Sequence, residues 1–364
     1  MIATGGILRQ AGPAHVDVVE GLDSLRDDWR RLADESGNVF ATWEWNRLWW
    51  RHYGRGRPLR IAVSQRGGEP IEAIVPLFLW SHRPLRILRL IGHGHGDRLG
   101  PICDEQDDKT AKRVLRRVLE TEPHDVFIGD WVASDRNWAR VLGGRAVRST
   151  GYPILRFPDG SSDAFLAGQS RRFRKRARNL QNRIERDHDV IYRYADASTL
   201  ERDLDVAFGL HGARFGEHSG CNFCGRHEQF HREFAATALQ EGWLRLLTLE
   251  LDGEPACFEY GFLFQNAYFA YQAGRDPSWE RYSVGFVLEL ECIRRALEAG
   301  ATEYRFLGGE EDYKYRFPTE DPRLETVVAA ASRRGRMASV GIDALWRLPG
   351  GKAALRRIGS ARPS

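Results

Sequence analysis

Near the end of the chain, "FLGGEEDYKYRF" places Glu310, Glu311, Asp312, Tyr313 and Lys314 directly behind two glycines. Carboxylates exchange protons, a phenol can give one up, and an ammonium holds an anion. Together they are the raw material of general acid–base chemistry. Glu310 is the candidate base, Tyr313 the candidate acid, and Lys314 a group to bind an anion. Glu259 interrupts an otherwise apolar strand and is a second candidate base.

A second stretch, "ERYSVGFVLELE" (280–291), reads as a turn running into a helix. After the turn no acidic side chain appears before Glu289. A helix start with uncapped amides attracts anions. Arg281 adds a cation, Ser283 can cap the helix or donate a hydroxyl, and Gly285 lets a ligand approach the backbone. The alternative is an ordinary buried helix start. Two further clusters have weaker chemical signals. "SRRFRKRARNLQNRIERD" carries Arg171, Arg172, Arg174, Lys175, Arg176 and Arg178, a patch suited to acidic lipid-linked sugars, peptidoglycan precursors or tRNA. It also reads as a solvated helix face. "HGARFGEHSGCNFCGRHEQFH" holds Cys221, Cys224 and four histidines, but two residues between Cys224 and His227 are far short of zinc-finger spacing, so no metal is expected.

The elements that must position these residues read as α/β. Helices are expected at 22–36, with Leu25, Trp29 and Leu32 at helical spacing, and at 42–54, between Thr42 and Gly54. A hairpin crosses "RGGEP" within 59–82, followed by strands at 85–92 and 124–132 and helices at 108–121 and 135–144. Phe173, Ala177, Leu180 and Ile184 form the apolar stripe of the arginine-rich helix. Strands at 243–253, 254–265 and 266–276 make an antiparallel meander, and a helix over about 283–299 leads to strands at 302–309 and 324–335. In "YFAYQAG", alternation puts Tyr268, Ala270 and Gln272 on one face and Phe269 and Tyr271 on the other. Domain boundaries are expected at 1–155, 156–335 and a helical tail, 336–364. Both halves pair antiparallel strands with helices, as an ancient duplication would.

The bulk numbers exclude little. The chain has 364 residues, 42% hydrophobic and 29% charged, with a net charge of +4. This suits a soluble two-domain protein and is too weakly basic to argue for nucleic acid by itself. Five scattered cysteines give no disulfide framework. No apolar run reaches membrane-spanning length, and a cytoplasmic location is expected.

The order of elements, with the "DGEPA" hairpin, the "YFAYQAGRD" strand end, the "SVG" helix start and the "GEEDYK" loop, resembles the GNAT acyltransferases. The branch it resembles is the BioF2-like one that includes the CelD-type proteins of cellulose or polysaccharide synthesis. Fem-type peptidyl transferases are similar at greater distance. The resemblance covers roughly residues 40–320 and implies tandem GNAT-like lobes, each a mixed, mainly antiparallel sheet flanked by helices. It further implies an acyl-CoA, acetyl-CoA first, on Arg281, Ser283, Val284, Gly285 and Phe286. Strand backbone near Tyr271 and Gln272 would serve the thioester, and those side chains, Lys314, Arg174 and Lys175 would meet the acceptor. The family's loop pattern, R/Q-x-x-G-x-G/A, is one residue shorter between Arg and Gly than here, and Val287 stands where its second small residue falls. The implied activity is acyl transfer to an amine of a sugar, amino acid or envelope precursor. A Fem-like transferase using aminoacyl-tRNA and a non-catalytic scaffold for polysaccharide assembly are the alternatives.

Overall fold

The computed structural model describes residues 15–82, 84–157, 162–215, 223–317 and 320–347. The chain opens with β1 (His15–Val19), α1 (Arg26–Ser36), α2 (Trp43–Tyr53), β2 (Leu59–Gln65), β3 (Ile71–His82) and β4 (Leu85–Leu90). It continues through α3 (Asp108–Thr121), β5 (Val126–Ala133), α4 (Trp138–Val141) and β6 (Arg145–Thr150). β7 (Ile154–Arg156), α5 (Ser162–Gly168), α6 (Arg171–Asp187), β8 (Val190–Tyr194), α7 (Leu200–Phe215) and α8 (Arg226–Gln240) follow. The last part is β9 (Leu244–Leu251), β10 (Glu254–Phe264), β11 (Ala267–Arg275), α9 (Val284–Glu298), β12 (Glu303–Arg305), β13 (Leu324–Ala330) and α10 (Arg333–Arg347).

Local chemistry explains several boundaries. Thr42 Oγ1 accepts from the amide of Trp45 and starts α2. The apolar stripe Ala111, Val114, Leu115 and Val118 turns α3 toward its sheet. The strand expected at 302–309 ends at Arg305, because Leu307 (φ 60°) and Gly309 (φ 146°) bend the chain away. The expected helix at 135–144 is reduced to α4 behind a single 3-10 turn, where Asn137 takes φ 53°.

The strands form two sheets, ordered β1-β2-β3-β4-β5-β13-β6 and β7-β12-β11-β10-β9-β8. The sequence β1-α1-α2-β2-β3-β4-α3-β5 is repeated as β8-α7-α8-β9-β10-β11-α9-β12, with the same pairings. The two lobes are thus repeats of one topology. β13, within the segment expected to form the C-terminal domain, pairs with β5 and β6 of the first sheet. The lobes thus exchange chain near both ends of the second one. They share one core, in which Phe40, Trp45 and Trp49 of the first lobe join Phe230, Phe234, Phe262 and Phe269 of the second. A smaller core lies between the other face of the second sheet and α9. Among the described residues, no helix is long and apolar enough to cross a membrane.

Candidate active site

In each lobe one parallel pair of strands touches over three residues and then separates. In the second lobe, β11 and β12 pair at Ala267–Glu303, Tyr268–Tyr304 and Phe269–Arg305. Beyond Arg305 the chain pairs elsewhere: the amide of Phe306 donates to the Pro153 carbonyl and that of Gly309 to Gly151. A wedge therefore opens beside residues 270–275 of β11.

The wedge is marked by a bulge. Gly261 pairs with Ala270 and Tyr260 with Gln272, so Tyr271 is one residue in excess. Residues directly opposite in a sheet share a face, so Gln272 lies on the face of Tyr260. This corrects the expected alternation, which grouped Gln272 with Tyr268 and Ala270. Tyr271 points into the core shared by the lobes, where its hydroxyl donates to the His95 carbonyl at 2.9 Å. Burial holds its phenol well above the usual value.

At the α9 end of the wedge the helix start is uncapped. Ser283 sits at φ 53° and its side chain makes no capping bond, which leaves the second of its two expected roles, a hydroxyl free to donate. Its carbonyl accepts from the amides of Phe286 and Val287. The amides of Val284 and Gly285 have no hydrogen-bond partner among the described residues, and the first turn holds no acid. A side chain built on Gly285 would meet only Arg275 Cδ, at 4.0 Å, so there is open space beside the backbone. Phe286 is buried against Phe173 of α6.

Arginines surround this terminus. Arg281 lies 4.7 Å and Arg183 5.1 Å from the ring of Tyr282, and Arg176 lies 5.2 Å from the ring of Phe286. Arg183 also donates to the Arg281 carbonyl at 3.4 Å. The docking of α6 against α9 thus brings part of the basic patch to the loop. Arg183 was not singled out by the sequence, because its neighbour in space lies some hundred positions away. Arg174 and Lys175 are exposed, with Arg174 donating to the Ala167 carbonyl at 2.8 Å.

The acid–base candidates are dispersed. Glu310 is exposed and paired with Arg323 at 2.7 Å. Lys314 is buried and folds back on its own loop, donating to the carbonyls of Leu307 and Gly308 and pairing with Glu311 at 3.0 Å. Its ammonium closes the turn on these carbonyls and the Glu311 carboxylate. Tyr313 is half-buried at the start of the short helix Lys314–Arg316. Glu259 lies on the α9 face of the sheet, opposite to Tyr271, where it accepts from the Tyr304 hydroxyl at 2.7 Å. Burial raises its carboxyl, and the same enclosure raises that of Glu289 on α9.

One carboxylate at the wedge escaped the sequence reading. Asp97, in the "GHGHGD" loop after β4, accepts from the amide of Gly308 at 2.7 Å. It reaches from the first lobe into the second. Burial pushes its carboxyl up to about 6, against the opposing pull of the Gly308 amide and the Lys314 charge. Trp131 lies against the same spot: a side chain on Gly308 would land 1.7 Å from its ring. Trp131 and Leu307 both hold positive φ, 56° and 60°, where the lobes meet. An acid inside a glycine-rich loop was the available signal for Asp97.

The histidine-rich segment belongs to the lobe junction. His95 Nδ1 accepts from the Trp49 indole at 3.3 Å, His95 Nε2 lies 2.8 Å from His227 Nδ1, and the Tyr53 hydroxyl lies 2.9 Å from that same nitrogen. Burial keeps these imidazoles neutral, His95 down to about 3. Cys224 is disulfide-bonded, while Cys221 and His218 lie outside the described residues. Among the described residues, no group of three or more His, Cys, Asp or Glu side chains could hold a metal.

Residues 171–315 match the family model described as an acetyltransferase (GNAT) domain. No curated protein matches the chain. Solved structures similar to it include FemX, with 12% identity, a TM-score of 0.64, and coverage of 87% of this chain and 98% of that one. A conserved protein of unknown function from Bacteroides thetaiotaomicron gives 15% identity, a TM-score of 0.55 and coverage of 87% and 100%. L-PGS from Bacillus licheniformis gives 11%, 0.53, and 88% and 95%. At such identities the likeness is one of fold. The second lobe carries a GNAT domain, and the tandem architecture is shared along nearly the full length of these structures.

Proposed function

We propose that the second lobe is an N-acyltransferase that uses an acyl-CoA, acetyl-CoA first, and acylates an amine of a sugar, amino acid or envelope or polysaccharide precursor in the cytoplasm. The observation that carries this reading is the uncapped start of α9. Two partnerless amides, space beside Gly285 and the guanidinium groups of Arg176, Arg183 and Arg281 suit a pyrophosphate. A bound acyl-CoA supplies a thioester activated for attack by an amine. The expected Arg281, Ser283, Val284, Gly285 and Phe286 form this holding site, with Arg176 and Arg183 added.

Within the wedge, Asp97 is the proposed base. An amine must lose a proton as it forms an amide, and a carboxylate near pH 6 accepts one at neutral pH. Tyr271 keeps its proton on the His95 carbonyl and holds the bulge in place, and the bulge frees strand backbone to face the thioester. The position of Asp97, Trp131 and His95 supports an acceptor site at the junction of the lobes. Glu310, Tyr313 and Glu259 are not retained in the proton path: Glu310 is held at the surface by Arg323, and Glu259 lies behind the sheet.

The Fem-like reading, with aminoacyl-tRNA as donor, is favoured by one observation: Arg171, Arg172, Arg174, Lys175 and Arg178 of α6 remain exposed. Thermal shift and filter binding separate the two. Stabilisation by acetyl-CoA with no salt-sensitive tRNA retention supports the CoA reading. Retention of tRNA that falls steeply with salt, without a shift from acetyl-CoA, overturns it.

A further inference from the structure

The C-terminal helix presents a surface that the acyltransfer reading does not use. α10 is fixed at its start. The Ser332 hydroxyl donates to Asp125 Oδ1 at 2.8 Å and accepts from the amide of Gly335 at 3.0 Å. Gly335 lies so close to the Asp125 carbonyl that a Cβ would fall 1.7 Å from its oxygen. Ile342 packs toward the core. With those residues inward, the opposite face turns out Met337 and Val340, 78% and 60% exposed, the most exposed large apolar side chains among the described residues. They stand three positions apart, and so are neighbours on the helix surface. Arg333, Arg334 and Arg336 are exposed beside them.

Charge is distributed to match. Residues 331–364 contain eight Arg or Lys and one acid, Asp343, a net +7. The whole chain is only +4, so residues 1–330 are net −3. A basic, partly apolar helix on an otherwise slightly acidic body is the pattern of a peripheral membrane contact: cations meet anionic headgroups while apolar side chains enter the acyl boundary. A nucleic acid would satisfy the arginines but offers no hydrocarbon in which to bury Met337 and Val340.

We propose that α10 docks the protein onto an anionic bilayer surface, with Met337 and Val340 inserted and Arg333, Arg334 and Arg336 on the headgroups. The test is cosedimentation of the full chain with vesicles of equal parts phosphatidylglycerol and phosphatidylcholine, beside vesicles of phosphatidylcholine alone. Binding is expected to the first and not to the second. The double variant Met337→Glu/Val340→Glu should lower the bound fraction by about tenfold or more, through lost apolar burial and added negative charge. Met337→Ser/Val340→Ser, which adds no charge, should lower it by a smaller factor. Unchanged binding of both double variants would overturn the docking, as would absence of binding to the anionic vesicles. Self-association without lipid that either variant abolishes would assign the face to a second copy and also overturn it. Binding of acetyl-CoA is expected to be the same in all variants, so the outcome is independent of the acyltransfer reading.

Discussion

The two lobes repeat one topology, yet they finish the same helix in opposite ways. In the first lobe α3 follows β4, and Asp107 caps it by accepting from the amide of Thr110 at 3.0 Å. That amide bond holds the Asp107 carboxyl below its usual value, and Asp108 adds a second acid to the first turn. In the second lobe α9 follows β11, and the corresponding position is Ser283, left-handed and without a side-chain cap. The strands before the helices differ too. β4 pairs with β3 in unbroken register, whereas β11 carries the bulge at Tyr271. A helix start capped by its own carboxylate repels an anion, and one left open beside arginines invites it. On the proposed reading the two lobes divide the labour: one keeps its helix terminus for a ligand, and the other satisfies its terminus internally and places Asp97 and Trp131 against its neighbour.

The contrast can be broken most severely at Gly285. Gly285→Glu places a carboxylate in the open space and should weaken CoA binding by more than about 100-fold, read by calorimetry. The next largest effect tests what the first lobe lends. Asp97→Asn should lower kcat by about 100-fold with CoA affinity unchanged. In the parent protein activity should rise as pH climbs through about 6, since only the ionised carboxyl accepts a proton, and this inflection should vanish in the variant. Removing Arg176 and Arg183 together, as alanines, should weaken CoA by about tenfold and flatten the salt dependence of binding. The smallest change sharpens the comparison from the other side. Asp107→Ala should cost about 1 kcal/mol of stability in chemical denaturation through loss of the cap, with no change in CoA affinity.

Much of the fold could be read from residues alone because its signals are local. The stripes of α3 and α6, the Gly253 turn and the meander of β9 to β11 depend on near neighbours. β13 could not be placed that way: its partners, β5 and β6, lie about two hundred positions earlier. The same distinction runs through the site. The start of α9 was legible because a turn running into an apolar stretch is a local signal, and its use by a ligand is the proposal made above. The partners of "GGEEDYK" could not be read, because charge density says nothing of who pairs with whom: Arg323 takes Glu310, and the loop's own carbonyls take Lys314. Gln272 was misassigned because a single bulge reverses the alternation beyond it. Asp97 gains its meaning only from Gly308, more than two hundred residues on.

The most direct test is a calorimetric titration of the wild-type protein with CoA, read for stoichiometry. One molecule bound per chain is the expected result, because α3, the counterpart of α9 in the first lobe, is capped by Asp107 while α9 is not. Two per chain would contradict the division between the lobes, and none would contradict the assignment of the α9 terminus to a CoA pyrophosphate.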